Sequence, residues 1–241
     1  MTNMDKWNDL YKDVGSDVPL DWYGNTETYD KGAEFLKDCD AVEDWGCGVG
    51  WFKTKCLSKK YTGIDGSITP HSDKKADLTK YKSNCEGIFM RHVLEHNLQW
   101  KDILMNACES FTQKFVLILF TQFKEKTEVI AWNEIGVPDI SFRKEDITSI
   151  FDQYGLKYEM ETIEESKTQY GIEYIFLIKK MHHESMTDRE RKWEDRLETP
   201  KDNYERWIDR HNHKLELIRT FGSVIAAITG LLVFLKVFNF I

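Results

Sequence analysis

Apolar residues in the first 180 positions fall into two patterns. Short unbroken or alternating runs mark strands, and spacings of three and four mark helices. Residues 28–39 carry Tyr29, Ala33, Phe35 and Leu36 at helical spacing. Residues 41–45 read as a short strand running into glycines, and 51–57 as the helix that follows. A second strand at 61–64 ends at Asp65, and Ala76-Asp77-Leu78 reads as a very short third. Residues 87–90 are a buried strand, followed by a helix through Ile103, Leu104 and Ala107. The run KFVLILF at 114–120 is apolar on both faces and predicts the central strand. A helix at 144–154 closes at Gly155, and strands at 158–163 and 173–178 flank a turn near Gly171. Strands alternating with helices predict an α/β domain with a mostly parallel sheet and helices on both faces. The last two strands have no helix between them, which predicts one antiparallel strand in a hairpin at the edge.

Beyond residue 181 the pattern changes. Residues 182–219 mix charges of both signs and carry Tyr204, Trp207, Ile208, His211, Leu215 and Ile218 at helical spacing. Thr199-Pro200-Lys201-Asp202 supplies a cap, a proline at the first helical position and an acid in the first turn. This stretch reads as a charged helical neck. Residues 220–241 are apolar apart from Lys236, close to the roughly 20 residues that cross a bilayer. They read as a transmembrane helix, with Lys236 able to snorkel to the far interface. Gly222, Ala226 and Gly230 form a stripe of small residues suited to self-association in a membrane. Lys214 and Arg219 precede the span, so the expectation is a single-pass tail anchor with residues 1–181 on the cytoplasmic side.

Composition narrows the partners. The net charge of −8 repels a phosphate backbone, so nucleic acid is a disfavoured partner. The five cysteines are odd in number and form no C-x-x-C, which predicts free thiols and no zinc site. The polar N-terminus does not read as a signal peptide.

The chemistry concentrates in VEDWGCGVG at 42–50. Gly46, Gly48 and Gly50 form a turn against which a ligand can lie, between a strand and a helix. Cys47 contributes its backbone there. The spacing is one residue shorter than the G-x-G-x-x-G that holds a pyrophosphate. Asp44, two residues before the first glycine, is a poor neighbour for phosphate and a good one for an ammonium group. Asp65 stands 19 residues after Gly46, the usual distance to an acid that holds a ribose hydroxyl pair. S-adenosylmethionine fits the description of a ligand with a ribose, a cationic amino-acid end and no phosphate.

VEDWGCGVG resembles the first motif of class I S-adenosylmethionine-dependent methyltransferases. YTGIDGS resembles the second, with Asp65 as the ribose ligand and Gly66 beside it. Ala76-Asp77-Leu78 resembles the segment that brackets adenine, and GIFMRHVLEHN the fourth-strand motif, in which V-L-E-H opens the next helix. KFVLILF and the final pair resemble the fifth, sixth and seventh strands. The resemblance covers about residues 28–181 and implies a Rossmann-like, seven-stranded sheet. It places Arg91 and His92 beside the cofactor. His92 or His96 is the candidate general base, because histidine titrates near neutrality. In-line positioning alone can also serve methyl transfer.

The acceptor is expected over the carboxyl edge of the sheet, held by the N-terminal segment around Tyr11, Trp22 and Tyr23, or by a loop at residues 122–142 that carries Trp132, Asn133 and Glu134. The absence of D/N-P-P-Y/F after the fourth strand, and of a Pro-Cys pair, speaks against methylation of DNA bases. The V-L-E-H variant resembles enzymes acting on small molecules and lipids, with some sugar and protein substrates. Two other readings compete. One is a non-catalytic scaffold with a degenerate methyltransferase fold on a membrane. The other is a nicotinamide-dependent oxidoreductase, which the glycine spacing and Asp44 disfavour.

Overall fold

The computed structural model describes residues 3–12, 26–67 and 69–180, together with Lys236. The chain divides into two compact units, Met1–His182 and His183–Ile241; the elements below belong to the first. Trp22, Tyr23, the neck at 182–219 and the apolar segment at 220–241 (Lys236 apart) lie outside the described residues. Among the described residues no helix is long and apolar enough to cross a membrane.

In chain order the elements are α1 (Asn3–Lys12), α2 (Glu27–Leu36), β1 (Ala41–Trp45), α3 (Trp51–Lys55), β2 (Lys60–Asp65), β3 (Lys74–Lys75) and β4 (Cys85–Arg91). A single 3-10 turn, Leu94–His96, leads into α4 (Trp100–Ser110) and β5 (Phe111–Leu119). Then come β6 (Glu128–Trp132), β7 (Pro138–Ser141), α5 (Lys144–Gln153), β8 (Lys157–Glu164) and β9 (Ile172–Lys179). Among the described residues seven strands form one sheet in the order β3-β2-β1-β4-β5-β9-β8. All neighbours are parallel except β5–β9 and β8–β9. The expected edge hairpin is present, and its antiparallel member β9 lies between β5 and β8.

The central strands are buried on both faces because each face carries its own helix layer. Ile88, Met90, Phe115 and Leu117 pack with Ile103, Leu104 and Ala107 of α4 and Ile147 and Phe151 of α5. Phe89, Val116 and Ile118 point the other way, onto Tyr29, Ala33 and Leu36 of α2 and Phe52 of α3. Alternate residues of one strand thus feed two cores, which is why these runs read as continuously apolar.

Two elements differ from the sequence expectation, and one helix falls where the sequence reading assigned no element. The third strand is at Lys74–Lys75, two residues before the expected Ala76–Leu78. The region around Trp132–Glu134 is a β6–β7 hairpin closed by Gly136, which has φ 70°. The polar segment Asn3–Lys12 is a helix.

Candidate functional site

The strand order reverses between β1 and β4, and the carboxyl edge there is where ligands bind in open α/β sheets. That edge collects the turn after β1, Asp65 at the end of β2, Arg91 at the end of β4 and Phe120 just after β5. Because β9 runs antiparallel, its beginning, with Glu173, reaches the same edge.

The glycine turn is shaped by its own backbone. Gly46, Gly48 and Gly50 have φ of 78°, 49° and 76°, a region that L side chains rarely adopt. A Cβ on Gly46 would lie 2.3 Å from Val93 Cγ2, and one on Gly50 would lie 2.6 Å from His71 Cβ. Most of the amides of the turn are already used. Gly46 and Cys47 donate to the Ile64 carbonyl at 2.7 and 3.1 Å, and Gly50 donates to Cys47 O at 2.7 Å. Gly48 donates to Asp65 Oδ2 at 2.9 Å. The helix that follows has only five residues. A turn with its N–H groups spent in this way is not the open amide cradle that a pyrophosphate needs.

Two carboxylates flank the turn. Asp44 is buried and accepts a hydrogen bond from Tyr61 Oη at 2.7 Å. Burial pushes its pKa up to about 7, against the pull of the Tyr61 bond and with a further push from the Asp65 charge. Asp65 is also buried and raised by burial; it accepts from Ser67 N at 2.7 Å as well as from Gly48. Each of its oxygens keeps lone pairs for further donors. Asp77 is committed locally: its Oδ1 accepts from Thr79 N and Oγ1 at 3.0 and 2.7 Å, and Lys80 Nζ lies 3.1 Å from Oδ2. Burial raises the Cys47 thiol far above its ordinary value, which disfavours it as a thiolate nucleophile at neutral pH.

The other half of the edge is a network of buried charges. Glu173 Oε1 accepts from Arg91 Nη2 at 2.8 Å, Arg91 Nε at 3.2 Å, His92 Nε2 at 2.8 Å and Thr28 Oγ1 at 3.2 Å. Arg91 also donates to Tyr29 Oη at 3.0 Å and stacks over its ring at 4.4 Å. His92 has φ 56°, a strained conformation for a non-glycine residue, and its amide donates to Ile118 O at 3.0 Å. Burial, then the Arg91 charge, drops its pKa to about 3, so it stays neutral. Burial raises Glu173, but the His92 hydrogen bond and the charge and bonds of Arg91 outweigh it and hold the carboxyl below its ordinary value.

His96 is held differently. Its Nδ1 lies 3.0 Å from Pro138 O and 3.2 Å from Asp139 Oδ1. Asp139 Oδ2 accepts from Tyr170 Oη at 2.7 Å. The neighbouring Glu95 is fully buried and accepts from Phe120 N at 2.6 Å. Burial pushes Glu95 up to about 7, partly countered by His96.

Asp44, Asp65, Arg91, His92, His96 and Asp139 line a cavity of about 840 Å³, within the ~300–1,000 Å³ that accommodates a small organic ligand; Glu173 and Glu95 stand behind its wall. Of the predicted site residues, Asp44, Gly46, Cys47, Gly48, Asp65, Gly66, Asp77, Leu78, Arg91, His92 and His96 line it. Gly50 does not; it shapes the turn one step behind the wall. Tyr11 and Asn133 also line the cavity, whereas Trp132 is 60% exposed and Glu134 lies outside the lining. Sequence reading missed Glu173, Asp139 and helix α1, whose Asn3, Met4 and Trp7 close over the cavity. Asn3 Nδ2 donates to His96 O at 2.8 Å, and Lys6 Nζ donates to Gly136 O. The signal for Glu173 was a charge on the inward face of an apolar strand. For α1 no comparable signal exists, because its apolar positions are few.

No family model matches the chain, and no curated protein matches it in sequence. Solved structures do match it in three dimensions. The 1,6-didemethyltoxoflavin-N1-methyltransferase of Burkholderia thailandensis, with bound 1,6-didemethyltoxoflavin and S-adenosylhomocysteine, superposes with a TM-score of 0.53 at 12% identity, over 73% of this chain and 83% of that one. The magnesium protoporphyrin IX methyltransferase of Synechocystis PCC 6803, with bound S-adenosylhomocysteine, gives 0.51 at 15% identity, over 73% and 94%. What the chain shares with both is the Rossmann-like α/β fold, with its mostly parallel seven-stranded sheet.

Proposed function

We propose that this protein is an S-adenosylmethionine-dependent methyltransferase acting on a small-molecule or lipid acceptor. The observation that carries the reading is the pair of buried acids, Asp44 and Asp65, on either side of a glycine turn whose amides are largely spent. Such a site disfavours a pyrophosphate and suits a ligand with a ribose and an ammonium group. The cofactor supplies a methyl group on a sulfonium. On the protein side, Asp65 would accept from the ribose hydroxyls, Asp44 would face the amino-acid end, and Asp77 with Leu78 would border the adenine. Arg91 would hold the wall beside His92 through Glu173. The open cavity disfavours the scaffold alternative, in which the site has no ligand. The methyltransferases that share the fold hold S-adenosylhomocysteine, which supports the same cofactor here.

The proposal extends to the cell. The domain spans residues 1–181, the neck 182–219, and the segment 220–241 tethers the enzyme to a membrane from the cytoplasmic side, with self-association through Gly222, Ala226 and Gly230. Its support is the sequence pattern alone.

Calorimetric titration of the full-length protein with S-adenosylhomocysteine, and separately with NAD, tests the site. The expected result is a Kd of about 1 μM, or roughly −8 kcal/mol, for S-adenosylhomocysteine and no heat with NAD. Asp65→Ala is expected to weaken the former about 10–100-fold, the range for lost hydrogen bonds to a charged group. Binding of NAD, or unchanged affinity in Asp65→Ala, would overturn the assignment.

A further inference from the structure

Two histidines line the cavity, and their surroundings divide them. His92 presents Nε2 to Glu173 Oε1, which can only accept, so Nε2 carries the proton. The same carboxylate oxygen is shared with the Arg91 guanidinium. An imidazolium at His92 would add a second cation to a cluster that already has one. His96 hydrogen-bonds through Nδ1 to the Pro138 carbonyl at 3.0 Å, an acceptor only, so Nδ1 carries its proton; Asp139 Oδ1 lies 3.2 Å from the same nitrogen as a charge partner, not as the hydrogen-bond acceptor. That leaves Nε2 of His96 with its lone pair, and it makes no hydrogen bond among the described residues. The ring lies beside two buried carboxylates, Glu95 and Asp139, and each keeps one oxygen without a hydrogen-bond partner, Oε2 and Oδ1 respectively. A histidine kept only for packing has no need of two buried carboxyl groups beside it, each costly to keep in the interior. A histidine that gains a positive charge during turnover does.

We infer that His96 is the general base of this site, oriented by Asp139, and that the acceptor is a planar ring bearing a weakly acidic O–H or N–H. The inference rests on the methyltransferase reading and names the acceptor of that same site. The planar shape follows from the rings around His96. Trp7 stands edge-on at 5.3 Å and Phe120 lies at 5.5 Å, and both line the cavity. These walls favour a flat, apolar body with its reacting atom at the imidazole. A carboxylate acceptor would meet Asp139, which lines the cavity, as a like charge. In the transfer the acceptor's X–H bond breaks and its proton passes to His96 Nε2. The freed pair forms the new bond to the methyl carbon. The methyl–sulfur pair returns to sulfur, leaving a neutral thioether and a protonated His96 that then loses its proton to water.

The titratable groups facing His96 are Glu95 on its own turn, Asp139 from β7 and His92 from the end of β4; Tyr170 reaches it through Asp139. Burial alone would lower the proton affinity of His96, but the Asp139 contact and the Glu95 charge outweigh it and leave it raised.

The test has two arms on the full-length protein. In the first, long-range proton–nitrogen NMR of histidine-labelled protein reads the tautomers. His96 is expected as Nδ1–H and His92 as Nε2–H. Asp139→Asn is expected to lower the proton affinity of His96 about tenfold, one pKa unit. An Nε2–H tautomer at His96, or an unmoved titration in Asp139→Asn, overturns the assignment of base and positioning residue. In the second, 4-nitrophenol is added with saturating S-adenosylhomocysteine, and its spectrum reports ionisation. Bound phenolate is expected in the native protein and its loss in His96→Gln, with S-adenosylhomocysteine binding retained. No spectral change in the native protein, or equal phenolate in His96→Gln, overturns the acceptor class. Failure of S-adenosylhomocysteine to bind would instead sink the methyltransferase reading, and the tautomer arm would still be read on its own.

Discussion

Glu173 shows how much one residue can hold at this edge. Its Oε1 joins Arg91, His92 and Thr28, which come from β4, the turn after it and α2. Removing the charge while keeping the shape leaves the Arg91 guanidinium buried without its anion. Glu173→Gln is therefore expected to destabilise the domain by about 3–5 kcal/mol, read from urea unfolding. A change within experimental error would mean that Arg91 is compensated elsewhere. Both charges were visible as sequence oddities, an arginine ending GIFMR and a glutamate inside IEYIFLIK. Their pairing was not, because it depends on β9 running antiparallel beside β5. Asp44 and Asp65 were legible for the opposite reason. Asp44 stands two residues before Gly46 and Asp65 stands 19 after it, so spacing along the sequence was enough.

At the scale of elements, the strands buried on both faces announced themselves, because a long apolar run has no other stable use in a domain of this size. β3 did not: with two exposed lysines it carries no burial signal and is placed only by pairing with Ile64 and Asp65. The β6–β7 hairpin hid because its strands are short and its outward residues Val129 and Trp132 are exposed. Yet it brings Asp139 to His96, so half of the proposed base lay in a segment that read as a loop. The apolar element at 220–241 is legible in sequence alone and has its own test. The full-length protein is expected to stay with membranes through alkaline washing, and a chain ending at residue 219 is expected to be released. Release of the full-length chain would remove the tether.

At the scale of the whole molecule, buried carboxylates set the response to pH. Burial pushes both Asp44 and Glu95 up to about 7. In the unfolded chain such groups ionise near ~4. Between about 4 and 7 the folded state thus holds protons that the unfolded state has released, and stability falls as pH rises. Glu173 runs the other way. Its folded pKa is depressed, so its contribution is present above the unfolded value of ~4.3 and is lost as pH falls through the folded one. Urea midpoints are expected to decline from pH 5 to pH 8, and Asp44→Asn should flatten that decline; a rise over the same range would contradict the assignment. Ligand binding should report the same group. An ammonium end seated at Asp44 favours the carboxylate, so the affinity for S-adenosylhomocysteine is expected to rise from pH 6 to pH 8. Below about pH 7 binding should release a proton, seen as a calorimetric heat that depends on the buffer.

The central claim is that the cavity at the β1–β4 switch is the cofactor site. A crystal structure of the protein grown with S-adenosylhomocysteine tests it most directly. The ribose hydroxyls are expected within hydrogen-bonding distance of Asp65, the amino-acid end against the glycine turn on the Asp44 side, and the sulfur facing the half of the cavity that holds His96. Density for the ligand elsewhere, or a ribose that does not touch Asp65, would contradict it.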